Sequence, residues 1–271
     1  MTGEFASFLA RMVERRNADV AAAYGGLTRS DLERMSAAGR PVRDFAAALT
    51  DGGAVAVIAE VKKASPSAGA IAPGIDAAGQ TRRYEKGGTA AVSVLTEPSS
   101  FGGSFDDLAA VAAAVGVPVL CKDFVVDEAQ VFVARGCGAD AVLLMASVLG
   151  EEVARYLALV RGLGMHALVE VASRDELDVA LRAGATLVGV NSRDLHSLKV
   201  DPSAALPLVR EAKSVGVTVM LASGVRSRED VEVAATAGAD AVLVGEALMR
   251  AERPELAVAG LTGVARREVV S

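Results

Sequence analysis

GTAAVSVL (88–95), GADAVLLM (138–145), GATLVGVN (184–191) and GADAVLVG (238–245) superpose without a gap. Their starts fall about 50 residues apart, a period that signals a repeated supersecondary unit. A second set lies between them: GVPVLCK (116–122), GMHALVE (164–170) and GVTVMLA (216–222), with GAVAVIAEV (53–61) as a looser fourth member. Interleaved, the two sets give eight short strands. Each is an almost continuous apolar run, so both of its faces are buried, as in a parallel sheet.

The stretches between the strands carry helical spacing, for example over 104–115, 127–136, 150–164, 173–184 and 227–238. Ser104, Ser173 and Ser227 stand as N-caps ahead of acids, and Gly136, Gly164, Gly184 and Gly238 as C-terminal stops. Eight βα units within about 220 residues is the arithmetic of an α/β chain closed as a (β/α)8 barrel, the TIM barrel. A doubly wound sheet would show a glycine-rich nucleotide loop after its first strand, and neither GxGxxG nor GxxxxGK[ST] occurs. We therefore expect a single domain over 1–271. Residues 1–52 form an N-terminal helical extension, 53–250 the barrel core, and 251–271 a C-terminal helix or tail.

Composition bounds the function. The chain has 271 residues, 52% apolar and 23% charged, which is globular and not disordered composition. A net charge of −6 argues against a nucleic-acid partner. No apolar run is long enough for a bilayer, and MTGEFASFLARMVERR at the start lacks a signal-peptide layout. Cys121 and Cys137 make no CxxC spacing, and with only His166 and His196 neither a zinc site nor a Ser-His-Asp hydrolase is expected. These features point to a cytoplasmic protein with no membrane attachment. Arg15-Arg16 reads as a surface basic cluster.

In a barrel of this kind the chemistry belongs at the C-terminal strand ends. Strand one runs out into Glu60 and Lys62, strand three into Lys122, strand five into Glu170 and strand six into Asn191. A Lys or Glu ending an apolar strand is costly unless paired or used. One such residue could be a local ion pair; five converging on one rim point to a site. Two lysines and two carboxylates there can divide acid and base roles. Strands seven and eight end in Ser223-Gly224 and Gly245-Glu246, where such barrels commonly hold phosphate on backbone N–H groups. Phe101 and Phe124 follow strands two and three and read equally as loop packing or as a wall for an aromatic ligand. Cys121 points away from the pore, and His166 opens a strand at the opposite, stability face. His196 falls in a rim loop with no nucleophile beside it.

IAEVKKASPSAG (58–69), SVLTEPSSFGGS (93–104), PVLCKDFVVDEAQV (118–131), ALVEV (167–171), GVNSRDL (189–195), ASGV (222–225) and ADAVLVGEALMR (239–250) together resemble the indole-3-glycerol phosphate synthases of tryptophan biosynthesis. The resemblance implies ring closure of 1-(2-carboxyphenylamino)-1-deoxyribulose 5-phosphate with loss of CO2 and water. It implies no cofactor, no metal and a monomer. By the same resemblance Lys122 is the acid that protonates the ribulose carbonyl, and Glu170 is the carboxylate of the later proton removal and dehydration. Lys62 contacts phosphate or carboxylate and is a candidate for the dehydration proton. Glu60 and Asn191 hold the substrate hydroxyls and the catalytic lysine. Ser65 lies near the anthranilate carboxylate and Arg193 in the rim network. Phe101, Phe124, Leu143 and Val244 make the apolar pocket, and Ser223, Gly224, Gly245 and Glu246 the phosphate loops.

The chain departs from the family pattern in places. Ala222-Ser223-Gly224 stands where Glu-Ser-Gly is usual, Ser192 where a second Asn is usual, and Ala172 where a polar residue is common. The loss of a rim carboxylate at Ala222 keeps two alternatives in view: a paralogous barrel enzyme acting on a modified anthranilate or sugar-phosphate substrate, and a non-catalytic barrel that binds a partner.

Overall fold

A computed structural model describes residues 7–194 and 197–267. Eight parallel strands close into a barrel: β1 (Ala56–Val61), β2 (Ala91–Leu95), β3 (Val119–Lys122), β4 (Ala141–Met145), β5 (His166–Val171), β6 (Leu187–Asn191), β7 (Thr218–Ala222) and β8 (Ala241–Val244). All eight coincide with the repeats quoted above, β5 running one residue past its repeat to Val171. Each pairs with its neighbour in sequence, and β1 closes the ring on β8, with Ile58 opposite Leu243. This is the (β/α)8 TIM barrel expected from the spacing.

Strand alternation sorts the side chains into two layers. Ala56, Ile58, Leu120, Leu143, Leu168, Met220 and Leu243 fill the pore as one buried cluster. Val57, Val92, Cys121, Val142, Val169, Val190 and Val244 face outward and bury against the surrounding helices. Ordered from the N-terminus, the helices of more than one turn are α1 (Phe8–Tyr24), α2 (Arg29–Ala37) and α3 (Phe45–Thr50), then α4 (Ala77–Lys86), α5 (Phe105–Ala114), α6 (Glu128–Gly136), α7 (Val153–Gly162), α8 (Arg174–Arg182), α9 (Pro202–Ser214), α10 (Arg228–Thr236) and α11 (Pro254–Leu261). Ser104, Ser173 and Ser227 cap α5, α8 and α10 as expected, each accepting a backbone N–H three residues on. Helix α11 packs on α4 and α10 and completes the outer ring, so the barrel's last helix lies beyond residue 250.

One expected helix stop needs correction. Gly136 is still inside α6, and the left-handed turn is made by Gly138 at φ 87°. Gly136 is required for another reason. A Cβ there would stand 2.5 Å from the Met35 carbonyl oxygen, where α2 crosses α6. Gly164, Gly184 and Gly238 do turn left-handed, as expected.

The N-terminal extension grips both mouths of the barrel. Helix α3 packs against β1, β2 and β7, and its fully buried Phe45 and Leu49 join the pore cluster. Below them, Asp140 accepts hydrogen bonds from Arg40, the Arg43 N–H and the Val119 N–H. Its repeat mate, Asp240, accepts from Lys213 and the Val219 N–H in the same way. Among the described residues, no helix is long and apolar enough to cross a membrane.

Candidate active site

At the C-terminal mouth the pore opens into a cavity of about 470 Å³. This is within the ordinary range for small-molecule sites, about 300–1,000 Å³. Glu60, Lys62, Lys122, Glu170 and Asn191 all line it, as their strand-end positions predicted. Inward parity explains the grouping: Glu60 stands level with Ser93, and Glu170 with Gly189 and Met145, in the ladder register.

The charged residues form two opposed pairs. Lys62 Nζ donates to Glu60 Oε1 at 2.7 Å. Burial by itself would push the Glu60 carboxyl up, but Lys62, Lys122 and Arg193 more than offset it and hold the group below the ordinary carboxylate value. Lys122 Nζ lies 3.8 Å from Glu170 Oε2. Asn191 Nδ2 donates to Glu170 Oε1 at 3.0 Å, whereas Oε2 is buried with no hydrogen-bond partner among the described residues. That oxygen faces Lys122 across the cavity. Asn191 Oδ1 accepts from the Arg193 N–H at 3.0 Å and from Ser223 Oγ at 2.9 Å. The asparagine thereby ties β5, β6 and β7 together across the rim.

The strand-seven and strand-eight loops are built for close approach. Ser223 holds a left-handed conformation at φ 68°, unusual for a side-chain-bearing residue. Its hydroxyl bond to Asn191 and the Ser192 Oγ bond to its own carbonyl, 2.9 Å each, over-determine that conformation. Gly224 is also left-handed, at φ 79°. A Cβ on Gly245 would come within 2.4 Å of Glu60 Oε1 and 3.0 Å of Lys62 Nζ, so only glycine leaves that corner open. Glu246 lines the cavity too, but its carboxylate is drawn to Arg250 Nε at 2.9 Å, leaving its backbone as the part that could meet an anion.

The opposite wall is apolar. Phe101 and Phe124 lie with ring centroids 6.3 Å apart, alongside Leu143 and Met145. Ser65 sits in a tight hairpin, Ala64–Ser65 with Gly69–Ala70, and its hydroxyl accepts from the Ala68 N–H. Arg193 reaches over the rim to Ser67 Oγ at 3.2 Å and the Leu198 carbonyl at 3.0 Å.

Val244 does not belong to this wall. It is buried outside the pore among the helices, and the cavity-lining residue on that strand is Leu243, one position earlier. The period-2 alternation of β8, which points Ala241 and Leu243 inward, decides the matter. Cys121 is buried on the outer side as expected, and burial pushes its thiol far above the ordinary range. His166 pairs with Asp44 at 3.3 Å at the strand's start, the structural place expected for it. His196 lies outside the described residues.

Sequence reasoning also missed the part that the N-terminal extension plays beside the site. Phe8, the first residue of α1, also lines the cavity. Arg16 is no surface cation: it is 5% exposed and forms a two-pronged pair with Asp123, the residue after Lys122. Helical phase was the available signal, because Arg16 falls on the same face as the buried Leu9, Met12 and Val20.

The family model described as Indole-3-glycerol phosphate synthase matches residues 9–261. "Indole-3-glycerol phosphate synthase 2" of Streptomyces coelicolor is 48% identical over 237 residues, covering 87% of this chain and 91% of that protein. "Indole-3-glycerol phosphate synthase" of Mycobacterium avium is 47% identical over 257 residues, covering 94% of each. Among solved structures, 3-hexulose-6-phosphate synthase superposes with a TM-score of 0.61 at 18% identity, over 76% of this chain and 98% of that one. Thiamine phosphate pyrophosphorylase from Pyrococcus furiosus gives 0.57 at 19%, over 76% and 93%. At such identities these two show the shared barrel alone. The sequence matches, nearly end to end, carry more: the chain belongs to the indole-3-glycerol phosphate synthase family.

Proposed function

We propose that this cavity closes the pyrrole ring of 1-(2-carboxyphenylamino)-1-deoxyribulose 5-phosphate, with Lys122 and Glu170 dividing the proton transfers. The observation that carries the proposal is the pairing of Lys122 Nζ with Glu170 Oε2 at 3.8 Å across a cavity walled on one side by Phe101 and Phe124. Lys122 gives its proton to the ribulose carbonyl oxygen as the ring carbon attacks, so the new C–C bond forms against a neutral hydroxyl and not an alkoxide. CO2 then leaves from the ring carbon that made the attack, and the electrons of that C–C bond restore the aromatic ring. Glu170, held by Asn191 and with Oε2 making no hydrogen bond among the described residues, removes a proton as the hydroxyl departs as water. Lys62, anchored by Glu60, is placed to meet the phosphate or to protonate the leaving hydroxyl.

The aryl ring lies against Phe101, Phe124, Leu143 and Leu243, with its carboxylate toward Ser65 and Arg193. The phosphate takes the backbone N–H groups of Gly224, Gly245 and Glu246 together with Ser223 and Lys62, a site supported by the glycine-cleared corner beside Lys62. Cytoplasmic residence and a monomeric working state belong to the same proposal, supported by the net charge of −6 and two free cysteines.

Fluorescence-monitored indole formation tests the assignment. Lys122→Met keeps the stem and removes the proton, and is expected to lower kcat by about 10²–10⁴ with binding largely kept. A variant keeping more than about a tenth of wild-type turnover contradicts the role, since general acids of this kind contribute at least about 10²-fold.

A further inference from the structure

Asp123 follows Lys122 directly and is buried at the cavity wall. Four donors converge on its carboxylate. Arg16 Nε donates to Oδ1 at 2.9 Å and Arg16 Nη2 to Oδ2 at 2.7 Å. Thr96 Oγ1 donates to Oδ2 at 2.7 Å, and the Phe124 N–H to Oδ1 at 2.8 Å. The backbone extends the clamp: the Thr96 N–H donates to the Lys122 carbonyl at 3.0 Å, and Gln130 Nε2 to the Phe124 carbonyl at 2.9 Å. Residues 122–124 are thus held from three directions, by the end of β2, by α6 and, through Arg16, by α1 of the extension.

A buried ion pair is an inefficient way to hold a helix, because desolvation cancels most of the attraction and an apolar pair of the same volume would serve as well. The guanidinium fork adds direction instead: two parallel bonds fix the carboxylate in both plane and distance. Direction matters at this position. A misplacement of about 1 Å costs about 10²-fold in rate, and Lys122 is one residue away. The same face of α1 also carries Phe8 to the cavity and Met12, whose Sδ accepts from Ser100 Oγ at 3.2 Å.

We infer that Arg16 and Asp123 form a positioning pair, through which the N-terminal helix sets where the Lys122 ammonium stands in the cavity. The inference rests on the assignment of Lys122 as the ring-closure acid. It is tested by a double-mutant cycle between Arg16 and Lys122 in the full chain, with kcat and KM read from indole fluorescence and folding from circular dichroism. Arg16→Lys keeps the charge but replaces the fork with a point contact. It is expected to lower kcat about tenfold while KM stays within about threefold, the split of a group acting on the transition state. In a Lys122→Met background the same change is expected to leave the residual turnover unaltered, because a device that acts through Lys122 has nothing left to position. An equal loss in both backgrounds, or wild-type kcat in the folded Arg16→Lys enzyme, overturns the positioning role. If Arg16→Lys fails to fold, Thr96→Val, which removes one donor from Asp123 at similar shape, is carried through the same cycle with the same expectations. A Lys122→Met enzyme with more than about a tenth of wild-type turnover overturns instead the assignment beneath the inference, so the two failures are distinguishable.

Discussion

Glu60 shows how single groups in this mouth depend on their neighbours. Burial raises its carboxyl; Lys62 first, then Lys122 and Arg193, lower it further than burial lifts it. A group whose native pKa is lowered adds stability above its unfolded value, near 4.5, and loses that stability as pH falls through the native value. Lys62→Met removes the nearest cation and leaves burial to dominate. The acid limb of a melting-temperature profile between about pH 3 and 7 should therefore be shallower than in the wild type, and an unchanged slope contradicts the coupling. Ala222 carries a second prediction at this scale. It lies inside the pore, lines the cavity, and stands opposite Asn191 in the ladder. A carboxylate there could orient a lysine or accept from the substrate. Ala222→Glu should raise kcat/KM about tenfold, equivalent to about 1.4 kcal/mol of transition-state stabilisation, with melting unchanged. A lower melting temperature without faster turnover shows a remodelled wall and favours a modified substrate.

The two aspartates of the repeated GADAV sequence do the same work one half-barrel apart. Asp140 is fully buried and binds Val119 N–H as Asp240 binds Val219 N–H, but Asp140 also ties down Arg40 and Arg43 of the extension. Asp140→Ala strands two backbone donors and a half-buried arginine, and should cost about 2–4 kcal/mol in denaturant unfolding. A cost below about 1 kcal/mol contradicts its role as the extension's anchor, since even one stranded buried donor costs about that much. At this level the sequence was easy to read where the pattern was periodic. All eight strands follow from the repeat and its near-continuous apolar runs, and the serine caps from capping chemistry. The errors arise where one residue of phase decides the outcome. Val244 and Leu243 are equally apolar, and only the strand's registration says which faces the pore. Gly136 and Gly138 are both plausible stops, and the crossing of α2 assigns them different tasks. Arg16 looked like solvent-facing charge because its partner, Asp123, lies 107 residues away.

As a whole, the molecule brings five polar residues from four strand ends to one rim, and that convergence was legible because the barrel topology fixes it once the strands are known. The hydrogen bonds that make the residues unequal were not legible. Asn191 engages one oxygen of Glu170 and leaves the other open, and Glu60 is committed to Lys62 whereas Lys122 stands 3.8 Å from its carboxylate. These inequalities support the proposed division of labour, in which Lys122 serves ring closure and Glu170 the dehydration that follows decarboxylation. A single-turnover experiment that follows CO2 release and indole formation separately tests it most directly. Glu170→Gln should release CO2 at a rate near wild type while indole forms about 10²-fold or more slowly, and Lys122→Met should be slow in both. Equal loss of both signals in Glu170→Gln, or wild-type CO2 release in Lys122→Met, would contradict the division of labour.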